Sequence, residues 1–159
     1  MQWVNAMSEP GTRLFRTGRL VPEGLDETLI AAVVDDFYVK ARTDRLLGPI
    51  FTRVIPDEAW QAHMRVIANF WSSILLGTGH YGGMPMPKHL AIAELSDEHF
   101  RRWLELFRGT VEALCPPPIA ALFVDRAERI AHSFRLGLAY QRGEDTSSVR
   151  PMPAPETAP

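Results

Sequence analysis

Two histidines, His63 and His89, bracket the stretch WQAHMRVIANFWSSILLGTGHYGGMPMPKHL, residues 60–90. His63 lies three and four residues before Val66 and Ile67 and so shares their apolar helical face. His89 sits in a short run, KHL, after a loop rich in glycine and proline. This layout suits a flat cofactor gripped from both faces, with one imidazole beside each; with a metal between them it is a haem pocket. Haem iron takes a neutral imidazole along the normal to the ring plane. A short helix behind a flexible loop can aim such a ring without disturbing longer helices, and Lys88 stands within reach of a haem propionate.

Two further residues carry polar tips on otherwise apolar stripes, Tyr38 and Trp103. Singly, each of the four has a plainer account: His89 on the surface, His63 at a core rim, Tyr38 and Trp103 as packing aromatics. Together they place three polar-tipped residues on the inner stripes of three long helices, beside a loop-mounted histidine. A tyrosine hydroxyl with a reference pKa of about 10 stays protonated, and an indole N–H only donates. Both suit a small ligand that gains negative charge on binding. Hydrogen bonds to charged groups contribute about 1.5–3 kcal/mol each, so two donors slow ligand release by roughly two orders of magnitude or more.

The elements that must position these groups are helical. Asp26-Glu27 favours a helix start, followed by the stripe Ile30, Val33, Val34, Phe37, Tyr38, Ala41 at helical spacing. Thr43-Asp44 ends it, and Gly48-Pro49 predicts a turn over 46–51. Pro56-Asp57-Glu58 opens a second long helix with the stripe His63, Val66, Ile67, Phe70, Trp71, Ile74, Leu75, stopped by Gly77. Ser96 caps a third, with Phe100, Trp103, Leu104, Phe107, Val111 and Leu114. Three prolines, 116–118, separate it from a last helix carrying Ile119, Leu122, Phe123, Ala127, Ile130, Phe134 and Leu138, ending near Gly143. No segment alternates as a strand does. The expected architecture is all-α, with a flexible arm over 1–24, a domain over 25–143 and a disordered proline-rich tail over 144–159.

Composition narrows the classes. The chain has 159 residues, 46% of them apolar, which fits one globular domain. A formal charge of −2 gives no nucleic-acid footprint. The single Cys115 excludes an intramolecular disulfide framework. No apolar run approaches the roughly 20 residues of a membrane span, and MQWVNAMSEPGTR lacks a signal-peptide pattern; the expected setting is cytoplasmic. The glycines at 77, 79, 82 and 83 lack the Lys-Ser/Thr of a phosphate loop and read as a connector. His99, in a first helical turn, is expected to be exposed.

FY at 37–38, LGPIF at 47–51, NFW at 69–71, LLGTGHYGGMPMPKH at 75–89 and HFRRWLELF at 99–107 together resemble the group III truncated haemoglobins. The resemblance spans about residues 25–142. It implies a shortened globin, helices two over two around haem b. It also implies His89 as proximal iron ligand, Tyr38 and Trp103 as distal hydrogen-bond donors and His63 as a distal, swinging gate. Ile67 is implied over the haem and Phe51 packed against its ring. The implied function is reversible binding of dioxygen or another diatomic ligand such as nitric oxide. Whether the protein is also an enzyme, a nitric oxide dioxygenase or peroxidase served by a separate reductase, stays open, and no catalytic residue is assigned. A non-haem helical metal site or an interaction module are the readings of another class; neither HEXXH nor Glu-x-x-His is present to support the metal site.

Overall fold

A computed structural model describes residues 11–83 and 85–156. In chain order its elements are β1 (Thr12–Leu14), β2 (Leu20–Pro22), α1 (Glu27–Thr43), α2 (Gly48–Val54), α3 (Trp60–Leu76), α4 (Pro85–Leu90), α5 (Asp97–Leu114) and α6 (Pro117–Gln141). Single 3-10 turns lie at Asp57–Ala59 and Thr146–Ser148.

Local chemistry explains most helix ends. The Asp26 carboxylate accepts from the Leu29 amide at 2.8 Å, satisfying one free donor at the start of α1. The stripe Ile30, Val33, Val34, Phe37, Tyr38 and Ala41 is buried in full. Gly77 adopts φ +72° and stops α3 in the left-handed conformation that glycine accepts without strain. Pro117 opens α6, where a missing N–H costs nothing.

Helices α1 and α3 pack on each other, α5 packs on α6, and α1 on α5 joins the two pairs. Phe107 of α5 touches every long helix. It stands 5.3 Å from Phe37 of α1, 5.0 Å from Trp71 of α3 and 6.0 Å from Phe123 of α6, measured between ring centroids. Short α4 packs on α6.

Several expectations need correction. The turn over 46–51 is the start of α2: Pro49 falls in its first turn, and the Asp44 carboxylate accepts from the Leu46 and Leu47 amides that precede it. Asp44 also receives the Arg102 guanidinium at 2.8 Å, tying this corner to α5. Burial works to raise the Asp44 pKa, but the Arg102 and amide hydrogen bonds outweigh it and hold the carboxyl below its ordinary range. The long helix expected from Pro56 starts at Trp60, after the 3-10 turn. Leu114 and Val66 are exposed rather than core residues.

The termini differ most from expectation. The absence of strands does not hold: β1 and β2 pair antiparallel, Arg13 opposite Val21. Phe15, Val21 and Leu25 are buried in the core, and Thr17 and Arg19 donate to the Leu76 and Ile74 carbonyls at the end of α3. The described part of the tail lies along α5 and α6. Arg135 donates to the Arg150 carbonyl at 2.6 Å, Arg108 to the Ala154 carbonyl at 2.9 Å, and the Ala154 amide donates to Glu128 at 2.7 Å. Its attachment is mainly backbone hydrogen bonding, which hydrophobic composition does not register. Residues 1–10 and 157–159 of the expected arm and tail, Trp3 among them, lie outside the described residues.

At Gly48 an added Cβ would meet the Arg42 carbonyl oxygen at 2.6 Å. Backbone cannot swing aside as a side chain can. Gly48→Ala is expected to lower unfolding stability by about 1–3 kcal/mol, read as the shift in a urea midpoint; an unchanged midpoint would contradict this close approach.

Candidate functional site

A cleft of about 1170 Å³, counting the space at its open mouth, lies among the helices. Tyr38 of α1, Phe51 of α2, His63 and Ile67 of α3, Lys88 and His89 of α4, and Trp103 of α5 all line it. These are the seven residues singled out in the sequence, and the fold brings them to one cavity. The α3 stripe does not act as one core face. Leu75 is buried away from the cleft and Trp71 is buried at its wall, while the more exposed His63, Val66, Ile67 and Phe70 also line it.

His89 is held in a defined tautomer. Its Nδ1 lies 2.8 Å from the Pro85 carbonyl oxygen, one turn back. A carbonyl only accepts, so Nδ1 carries the proton and Nε2 keeps the lone pair a metal needs. The ring stacks on Phe134 of α6, centroids 4.2 Å apart and planes 16° from parallel. Burial pushes its pKa below the ordinary histidine value; the Pro85 hydrogen bond opposes this in part, and the Lys88 charge reinforces it. The neutral form is therefore favoured.

Tyr38 and Trp103 are positioned by the aromatic core. Tyr38 meets Phe37 and Phe51 edge to face, at 4.8 Å and 5.5 Å. Trp103 stacks on Phe107 at 5.4 Å, within 11° of parallel. Burial drives the Tyr38 pKa far above its ordinary value, with a smaller opposing effect of its hydrogen bond with Trp103. The hydroxyl thus remains protonated. Half-buried His63 is pushed to lower pKa by burial first, then by the charges of Lys88 and His89.

Sequence reasoning missed other parts of the wall. The apolar stripe of α6 reads Phe134 as core packing alone, yet it carries the His89 ring. Tyr81 falls in the glycine-rich connector, and it lines the cleft beside Phe70 at 5.2 Å. His99 was expected at the surface, and it too lines the cleft. Its spacing of four from Trp103 was the available signal. Among the described residues no three His, Cys, Asp or Glu side chains converge as a metal site, so a non-haem centre finds no ligand set there. Nor is any described helix long and apolar enough to cross a membrane.

The chain is 37% identical over 123 residues to the group 3 truncated haemoglobin ctb of Campylobacter jejuni, covering 76% of this chain and 96% of that one. It belongs to the group 3 truncated haemoglobins. The crystal structure of the group III truncated haemoglobin from Campylobacter jejuni matches it with a TM-score of 0.69, over 74% of this chain and 94% of the other. No family model matches. The expected helical, truncated-globin fold is the observed one. Membership of a haemoglobin family implies haem, and the cleft fits such a group: its walls are largely apolar and it contains a neutral imidazole with a free Nε2.

His63 and His89 both have folded pKa values below the unfolded value of about 6.5. Below that pH the unfolded chain takes up protons that the folded chain resists, so these groups lower stability as pH falls. For the apoprotein, the thermal midpoint should be level above about pH 6.5 and decline on acidification below it. A midpoint that rises between pH 6.5 and 5 would contradict this electrostatic picture.

Proposed function

We propose that the cleft holds haem b, with His89 as the proximal iron ligand, and reversibly binds dioxygen or another diatomic molecule. The observation that carries this reading is the His89 ring, fixed through Nδ1 to the Pro85 carbonyl and stacked on Phe134, in the same cleft as Tyr38 and Trp103. Haem iron supplies the coordination position at which the diatomic molecule is held. The protein supplies the rest. Phe51 and Ile67 pack against the flat ring, and Lys88 pairs with a propionate. Tyr38 and Trp103 donate hydrogen bonds to a ligand that has gained negative charge, and His63 guards the entrance. Both side chains are held by neighbouring rings, and the single Trp103 N–H, which donates to the Tyr38 oxygen in the empty cleft, turns or is shared toward the ligand when it arrives.

A second use is favoured by the pairing of the Tyr38 hydroxyl and the Trp103 indole as hydrogen-bond donors in one cleft. Donors that retain bound dioxygen suit oxidation of nitric oxide to nitrate, or peroxidase chemistry, with a separate reductase supplying electrons. Mixing the oxygenated protein rapidly with nitric oxide tests this; formation of nitrate on the mixing timescale supports it, and its absence argues against it.

Protein reconstituted with haemin should show a globin Soret band, and His89→Ala should lose it or change the ligation. A chain that stays colourless after haemin addition would defeat the proposal. Tyr38→Phe and Trp103→Phe should each speed dioxygen dissociation by about tenfold, measured by stopped flow. Unchanged rates in both variants would remove the assigned role of the two donors.

A further inference from the structure

We propose that Arg142, which does not line the cleft, is a positioning residue for His89: it staples the connector after α4 to the end of α6. The inference rests on the haem reading above for the task of the His89 ring. Arg142 acts on that ring through the backbone.

Helix α4 has six residues. A helix that short does not hold itself in water, so the place of His89 depends on what grips α4 and its flanks. Two turns follow the histidine. The Ile92 amide donates to the His89 carbonyl at 3.0 Å, and the Leu95 amide donates to the Ile92 carbonyl at 3.3 Å. They carry the chain from His89 to Ser96, the cap of α5. The Leu95 side chain is buried, and with Ile92 it lines the cleft.

Carbonyls of this connector are held from α6. Arg142 Nη2 donates to the Ala93 carbonyl at 3.1 Å and to the Leu95 carbonyl at 2.7 Å, the second bond partly buried. One amino group of a guanidinium carries two N–H bonds in a fixed plane, one for each acceptor. An ammonium on a flexible stem holds two such acceptors with less definition. Arg142 is itself fixed, because its backbone N–H caps α6 on the Leu138 carbonyl at 3.0 Å. Two turns earlier, Arg135 grips Asp97, the first residue of α5, with bonds of 2.8 Å and 3.1 Å. The connector and the start of α5 are thus both tied to α6. Glu94 in the same connector also pairs with Arg53 of α2, but both side chains are exposed, and such pairs hold weakly. The Arg142 bonds grip the main chain directly.

Helix α6 also carries Phe134, on which the His89 ring stacks, just over two turns before Arg142. The ring keeps its angle only while α4 stays against α6, and the staple keeps it there. Without the staple the turns at Ile92 and Leu95 open, α4 shifts against Phe134, and the His89 Nε2 no longer points in one direction.

The test uses the full chain and two readouts. Amide hydrogen exchange, followed residue by residue, reads the connector. In the wild type the Ile92 and Leu95 amides should be protected, and Arg142→Ala should speed their exchange about tenfold. Resonance Raman of the protein reconstituted with haemin and reduced reads the iron–histidine stretch. That band should be broader and lower in frequency in Arg142→Ala. Arg142→Lys, which keeps the charge and the donors, should recover part of the change. Urea unfolding is measured beside both. A variant that loses stability but keeps the wild-type band reveals a brace for α6 alone and overturns the proposal. Unprotected Ile92 and Leu95 amides in the wild type also overturn it, and that measurement stands if Arg142→Ala fails to fold. A wild type that takes up no haemin, yet has protected amides that depend on Arg142, defeats the haem reading and leaves the staple intact.

Discussion

The structure turns on one buried ring. Phe107 is 1% exposed and contacts an aromatic partner on each of the other long helices, as well as Trp103 on its own. Aromatic pairs at these separations add about 0.5–1.5 kcal/mol each beyond area burial. Their geometric effect is at least as important. Trp71 and Trp103 each lie nearly parallel to Phe107, and both reach the cleft wall. The same contacts that join α1, α3, α5 and α6 thus set the angle at which the Trp103 indole enters the site. Fold stability and donor placement are one interaction here.

A second constraint follows from leaving a cleft within a small helical domain. Its walls must be apolar enough to receive a flat ring, so they are built from residues that look like core. His63, Val66, Ile67 and Phe70 follow the same helical period as Leu75, yet they line the cleft while Leu75 packs in the core, and Trp71 serves both surfaces. A sequence stripe reports that a face is turned away from bulk water. It does not distinguish packed protein from the wall of a cavity. The same ambiguity placed Phe134 in the core, whereas its ring also supports His89 from α6.

The hairpin and the tail show another limit of pattern reading. Residues 12–22 and 149–156 contain little periodic hydrophobicity. In the hairpin the Thr17 and Arg19 side chains donate to carbonyls of α3, and in the tail backbone groups bond to side chains of α5 and α6, with apolar anchors such as Phe15, Val21 and Ala154. Arg108, Arg135 and Glu128 looked like ordinary solvated residues of α5 and α6. Their partners lie far away in sequence, so no local window contains the interaction. His99 belongs with them: its Nδ1 lies 2.9 Å from the Ser96 hydroxyl within one turn, but its place in the cleft wall depends on how α5 packs on α1 and α6.

By itself the sequence determined the four long helices, most of their boundaries, the buried face of α1 and the set of residues able to bind a metal-bearing ring and a polar ligand. Periodicity, capping residues and donor chemistry are local properties, and they survive in a linear reading. Only the tertiary structure decided that Tyr38, His63, His89 and Trp103, drawn from four helices, line one cleft. It also decided that the His89 ring stacks on Phe134 of α6 and that His99 joins the wall. Those facts depend on burial and on contacts between segments distant in the chain, and both exist only once the four long helices have packed around Phe107.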